Sequence, residues 1–153
     1  MGCIVCATRG GEGSRAVQME AIRLAKETKK PLVFLFVADP ESLGEVESGL
    51  IPALREELYW MGKTLLHIAL RRAELADLQA DLVIREGKVS EEIIRFLNES
   101  KAEVLLLGAS RTTTHHIFGD DAIERFAQSI EKETGVPVRV IHPKPLIDEP
   151  QND

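Results

Sequence analysis

The sequence has no long apolar run and no excess of basic residues over its 153 positions. No segment approaches the ~20 apolar residues that cross a bilayer, and the amino terminus lacks the charged-then-apolar pattern of a secretory signal. The net charge is −6, and the basic pairs at 29–30 and 71–72 are isolated. We therefore expect a cytoplasmic protein that binds neither nucleic acid nor a membrane.

Thiols are also scarce, because Cys3 and Cys6 are the only two cysteines. Their C-x-x-C spacing is shared with redox and zinc motifs, which sit at a helix start or on a tight knuckle. Here the pair flanks two apolar residues of a predicted strand, and the histidines show no metal-ligand spacing beside it. The pattern favours two buried structural thiols and no metal site over the redox and zinc alternatives.

Five apolar strands alternate with four amphipathic helices in the order strand, helix, strand, helix. Strands are predicted at 4–8, 32–38, 80–85, 104–107 and 136–141, and helices at about 14–29, 52–76, 90–99 and 122–134. This alternation predicts a single Rossmann-like α/β domain over 1–143, with a five-stranded parallel sheet and helices on both faces. Strand order 3-2-1-4-5 is the hypothesis for this sheet, and the loops described below support it. The remainder, 144–153, is rich in proline and acids and is expected to be a mobile tail.

Local patterns predict how the helices begin, end and pack. Ser14 and Ser90 are candidate N-caps, Asp121 is placed as the start of a capping box, and Gly135 is placed at a helix C′ position. Apolar residues along the longest helix predict a core stripe with a polar end, formed by Leu54, Leu58, Met61, Leu65, Ile68 and Arg72.

The predicted sheet has its ligand-binding position beside the first strand, where the winding direction reverses. Ligands of such sheets bind outside the carboxyl ends of the two diverging strands. In this chain those ends are the loops at 8–11 and 108–111. Both loops contain glycine and an arginine, Arg9 in one and Arg111 in the other, and this supports the predicted strand order.

With these features the chain resembles the universal stress protein family over nearly all of 4–143. The similar stretches are the glycine-rich turn at 10–14, Phe36-Val37, Gly87 with the helix at 90–99, and the segments at 102–111 and 135–142. The resemblance implies the 3-2-1-4-5 sheet, a stress-related or regulatory role and commonly a homodimer. Many members of the family bind ATP, through a motif of Gly, two residues, Gly, nine residues, and Gly followed by a small polar residue.

This chain matches that motif only in part. Gly108 keeps the first glycine, and Val37 keeps a position near the base in the family. Arg111 stands at the second glycine, Asp121 stands at the third, and Gly119 comes two residues early. Arg9 replaces an aspartate that contacts the nucleotide in ATP-binding members. The candidate ligand-binding residues are Thr8, Arg9, Gly10, Val37, Gly108, Ser110, Arg111 and Gly119.

Two acids occupy the helix start where a phosphate would bind. Asp120 and Asp121 precede the last helix, and one carboxylate at ~5 Å from a phosphate charge costs about 1–3 kcal/mol. Arg9, Arg111 and the histidine pair 115–116 add positive or protonatable groups nearby. Either the arginines pair with the neighbouring acids, or they hold a small anion or an adenine nucleotide in an altered pose.

The sequence thus leads to a non-catalytic regulatory module with an altered ATP site and no certain cofactor. The alternative is an adenine-nucleotide-binding protein, with ATP as its ligand and at most slow hydrolysis. A weaker third hypothesis is an enzyme that acts on a small anion through Arg9, Arg111 and His115. No residue is assigned a catalytic role, and the last strand, as an apolar sheet edge, is expected to form a homodimer.

Overall fold

The fold comes from a computed structural model, which describes residues 2–9, 13–109 and 121–143. Its strands are β1 (Ile4–Ala7), β2 (Leu32–Ala38), β3 (Asp81–Glu86), β4 (Val104–Gly108) and β5 (Val138–Ile141). Its α-helices are α1 (Gly13–Thr28), α2 (Ile51–Leu75), α3 (Val89–Ser100) and α4 (Asp121–Thr134). Two short 3-10 helices, Pro40–Leu43 and Ser48–Leu50, lead into α2. The predicted tail at 144–153 lies outside the described residues.

The five strands form one parallel sheet in the order β3-β2-β1-β4-β5, as predicted. The central strands β1, β2 and β4 are almost continuously apolar because both faces of a parallel sheet are covered. The edge strand β3 carries Asp81 and Arg85, and the edge strand β5 carries Arg139. Whether a second copy covers the edge strand β5 stays a prediction.

Two hydrophobic clusters lie on opposite faces of the sheet, because alternate strand residues point to opposite sides. The first joins Ile4, Cys6 and Phe34 to apolar residues of α1 and α2. The second joins Val5 and Leu35 to apolar residues of α3 and α4. Helices therefore cover both faces, as predicted.

Helix α2 packs on the sheet with a stripe that overlaps the predicted one only in part: Leu58 is buried and Leu54 and Leu65 pack against the first cluster, as predicted. Its buried residues are Leu58, Gly62, Leu66, Ala69 and Ala73, whereas Met61 and Ile68 are 45% and 43% exposed. The prediction of those two as core was therefore wrong. The reason is close packing: a Cβ on Gly62 would lie 2.7 Å from Cε2 of Phe36, so the helix turns its small residues toward β2.

Helix starts also differ from the predictions, whereas one helix end agrees. Ser14 lies inside α1, and α3 begins at Val89 rather than after Ser90. The N–H of Val89 donates to Oδ2 of Asp39 at 3.1 Å, so the cap comes from the end of β2, 50 residues earlier. Gly135 follows α4 with a φ of 75°, as expected of a C′ glycine.

Both cysteines are free, and the prediction that both are buried holds for Cys6 but not for Cys3. Cys6 is buried in the first cluster, whereas Cys3 is partly exposed and packs against the second. Burial raises the pKa of Cys6 to about 12. Within 2–9, 13–109 and 121–143, no group of His, Cys, Asp and Glu could hold a metal ion, and no helix is long and apolar enough to span a bilayer.

Candidate functional site at the crevice between β1 and β4

The carboxyl ends of β1 and β4 separate at the reversal point of the sheet. Their pairing ends at Cys6 and Leu106. Beyond it each strand follows its outer neighbour: the N–H of Thr8 donates to Leu35 at 2.7 Å, and the N–H of Ala109 donates to Ile141 at 2.9 Å. The two central strands therefore diverge at the position where the sequence predicted a ligand crevice, which is called the crevice below.

Arg9 crosses this crevice. Its Nη2 lies 3.4 Å from the carbonyl oxygen of Gly108, and the contact is exposed to solvent. The structure therefore brings together two of the predicted site residues, which are 99 positions apart in the sequence. The guanidinium over the end of β4 gives this part of the crevice hydrogen-bond donors and a positive charge.

Thr8 is turned away from the crevice and into the protein. Its side chain is buried, and its hydroxyl accepts a hydrogen bond from Nε2 of Gln18 at 3.3 Å. The same Nε2 donates to the hydroxyl of Ser14 at 2.9 Å. The Thr8 side chain thus ties β1 to α1 and does not present a free hydroxyl to a ligand.

Arg72 extends this polar network to α2. Its Nη1 donates to Oε1 of Gln18 at 2.6 Å. The pKa of Arg72 is lowered, mainly because partial burial disfavours its charged form and to a smaller extent because the positive charge of Arg15 lies nearby. The sequence interpretation placed Arg72 at the polar end of a core stripe and missed Gln18. A signal for Gln18 was present, since it is a glutamine beside Val17 and near Ala21 on the buried face of α1.

Val37 flanks the crevice from the neighbouring strand. The β1–β2 register pairs Ile4 with Leu32 and Ala7 with Leu35, so the same offset puts Val37 level with Arg9. Val37 is partly buried against the cluster under α3 and α4. It offers a ligand an apolar wall rather than a polar group.

The remaining predicted site residues lie outside the described part of the chain. These are Gly10, Ser110, Arg111 and Gly119, together with Asp120, His115 and His116. The described half of the site is therefore one exposed guanidinium, an apolar wall and main-chain groups at the ends of β1 and β4. Such a set can bind an anion or a carbonyl group, and it contains no residue with an evident role in bond cleavage.

Comparison with known proteins agrees with this architecture. The family model described as "Universal stress protein family" matches residues 1–142. A search of curated proteins found no match. Among solved structures, the universal stress protein UspA from Lactobacillus plantarum aligns with a TM-score of 0.72 and 17% identity, over 91% of this chain and 97% of that one.

Two further solved relatives contain nucleotides. A family member from Arabidopsis thaliana with AMP bound has a TM-score of 0.66 and 14% identity, over 93% of this chain and 92% of the other. The universal stress protein from Archaeoglobus fulgidus in complex with dAMP has a TM-score of 0.59 and 17% identity, over 92% and 98%. At these identities the structures establish the shared fold, whereas the family model covers nearly the whole chain: this protein belongs to the universal stress protein family.

Proposed function

We propose that this chain is a non-catalytic regulatory module of the universal stress protein family, with a crevice that is not built for ATP. The observation that supports the proposal is Arg9. It occupies the position of the family's nucleotide-contacting aspartate, and its guanidinium reaches the carbonyl oxygen of Gly108, the first glycine of the motif.

The exchange of aspartate for arginine reverses the chemistry of that position. A carboxylate only accepts hydrogen bonds, whereas a guanidinium only donates them. An aspartate would accept hydrogen bonds from the hydroxyl or amino groups of a nucleotide. At this position those groups instead meet a hydrogen-bond donor with a positive charge. At 1.4 kcal/mol for each factor of ten in affinity, one lost charge-assisted hydrogen bond of about 1.5–3 kcal/mol lowers affinity roughly 10- to 100-fold.

A second function is favoured by the relatives with AMP and dAMP bound. A single phosphate at the crevice could be held bidentately by Arg9. In that case the chain binds an adenine monophosphate, in a pose that turns the phosphate rather than the sugar toward β1. This second function changes only the ligand, from none to an adenine monophosphate. The chain would still be a non-catalytic regulatory module.

Titration calorimetry of nucleotide-free protein with Mg-ATP and with AMP tests both functions. We expect no micromolar Mg-ATP binding by the wild type and at least a tenfold gain in Arg9→Asp. The matched control is Lys132→Asp, which makes the same charge change on an exposed residue of α4. AMP binding that Arg9→Ala abolishes would establish the second function.

Three results would reject the main proposal. They are micromolar Mg-ATP binding by the wild type, adenine nucleotide that co-purifies with it, and Mg-ATP hydrolysis above the rate of a protein-free blank. Hydrolysis must be measured on protein freed of contaminating phosphatase by a second purification step, since the expected rate is zero.

A further inference from the structure

The outer face of α2 exposes several large apolar side chains to solvent. Trp60 is 55% exposed and Leu75 is 73% exposed, and Ile68 lies between them along the helix. The Trp60 ring packs edge-on against Tyr59, with 5.8 Å between the ring centroids. The helix has 25 residues and is about 37 Å long, so this face is an extended surface rather than a single exposed side chain.

Charge is segregated along the same face. Glu56, Trp60, Lys63, His67 and Arg71 follow one another at spacings of four and three, which places them on one side of a helix. Glu56 lies toward the amino-terminal end and Lys63, His67 and Arg71 follow it. Glu74, three residues after Arg71 on the same side, pairs with that arginine and leaves Lys63, among the described residues, as the unpaired positive charge nearest the middle of the face. The exposed acids Glu41, Glu45, Glu47 and Glu57 precede or lie in the first turns of α2, and with the exposed Arg55 they leave that end of the helix net negative.

A shallow depression lies in the basic part of this face, lined by Trp60, Lys63, Thr64, His67, Ile68 and Arg71. Lys63 is held over the Trp60 ring, with its Nζ 5.2 Å from the ring centroid. Arg71 makes an exposed ion pair with Glu74 at 3.5 Å, a kind of contact that contributes little to stability. The depression therefore presents the apolar surface of Trp60 and Ile68 beside the positive charges of Lys63 and Arg71.

We propose that this face binds the same face of a second copy of the chain, with the two α2 helices antiparallel about a two-fold axis near residues 62–63. Antiparallel pairing puts the acidic end of each helix against the basic end of the other, so that Glu56 and Glu57 approach His67 and Arg71 of the second copy. Trp60 of each copy then lies over the depression of the other. Parallel pairing would oppose like charges and is disfavoured.

This contact differs from the predicted pairing through β5. Helix α2 packs on β2 and β3, whereas β5 is the opposite edge strand of the sheet. One helix pair buries less than the ~1,600 Å² of a standard interface, so we expect micromolar association. Because the two surfaces are separate, loss of the α2 contact lowers the assembled mass whether or not the β5 contact also forms.

Charge reversal tests the proposal through sedimentation velocity over a concentration series. One variant, Glu56→Lys/Glu57→Lys, makes the amino-terminal part of the face basic, and another, His67→Glu/Arg71→Glu, makes the carboxyl-terminal part acidic. We expect each variant alone to associate at least tenfold more weakly than the wild type. An equimolar mixture of the two should recover the association, because each now complements the other at both ends.

The matched control is Glu91→Lys/Glu131→Lys, which makes the same charge change as the basic variant on exposed residues of α3 and α4. It should associate like the wild type, and far-ultraviolet circular dichroism should show every variant folded. Wild-type association by both variants, or a mixture that does not recover, would overturn the proposal. So would a wild type of constant mass up to about 100 µM that instead binds a polyglutamate peptide, since the face would then serve an acidic partner.

Discussion

Replacing Gly62 by alanine would place a methyl group of α2 against the ring of Phe36 in β2. The added Cβ would lie 2.7 Å from Cε2 and 3.0 Å from Cγ of Phe36, and closer still to Cδ2. Overpacking of this kind costs about 1–3 kcal/mol, and overlap with three atoms of a buried ring puts this case in the upper half of that range, at about 2–3 kcal/mol. Alanine in place of a helical glycine returns about 1 kcal/mol. We therefore expect Gly62→Ala to lower the free energy of unfolding by about 1–2 kcal/mol, or the Tm by roughly 2–8 °C.

Urea denaturation followed by far-ultraviolet circular dichroism measures this loss. The control is Gly49→Ala, since a Cβ on Gly49 meets no atom within 4 Å and Gly49 should tolerate the change. Phe36→Leu should cost less in the Gly62→Ala background than in the wild type, because the smaller side chain makes room for the methyl group. A Gly62→Ala protein as stable as the wild type, or equal costs of Phe36→Leu in both backgrounds, would refute the close approach of α2 to β2.

Three further substitutions or measurements test local contacts. Asp39→Ala removes hydrogen bonds to two main-chain N–H groups at 2.9 and 3.1 Å, and it should lower the free energy of unfolding by about 1–2 kcal/mol in urea denaturation. Ser90→Ala should lower it by less than about 0.5 kcal/mol, and equal losses would contradict the assignment of Asp39 as the cap. Cys6 is buried and its pKa is raised to about 12, so a thiol reagent at pH 8 should leave it unmodified until denaturant is added, and modification at the rate of a free thiol in the folded protein would contradict this. The pKa of Glu20 is lowered below its ordinary 4.5, first by a hydrogen bond from Arg23, so its contribution to stability is present above pH 4.5 and is lost as the pH falls further. Glu20→Gln should therefore be less stable than the wild type at pH 7 and equally stable in acid, and a difference that persists at pH 2 would contradict the assignment.

The strand order could be predicted because each strand carries a pattern set by its place in the sheet. The run Leu32–Ala38 is apolar throughout, which fits a strand buried on both faces, and the loops after the first and fourth strands both carry a glycine and an arginine. Alternation with helices then requires parallel, right-handed crossovers, and few orders remain. Both the order and the placement of helices on both faces were confirmed.

The packing face of α2 could not be predicted in the same way, because apolar residues occur on more than one side of that helix. The larger side chains of Met61 and Ile68 favoured one stripe, but the sheet accepts the smaller residues Gly62, Ala69 and Ala73. The two stripes differ by roughly 80° around the helix at about 100° per residue. Only the distance between α2 and Phe36 decides between them, and that distance is a property of the assembled sheet.

At the crevice too, one feature could be predicted from the sequence and another could not. Arg9 and Gly108 were placed together because the reversal point of the sheet fixes where the two strands end. The partner of Arg9 was sought among acids, since formal charges are visible in a sequence. In the structure its Nη2 instead lies near the carbonyl oxygen of Gly108. Every residue has a main-chain carbonyl oxygen, so this partner cannot be recognised from the residue type. Topology therefore predicts where a ligand would bind in this fold, whereas the chemistry of that position depends on which main-chain groups the diverging strands leave within reach of one side chain.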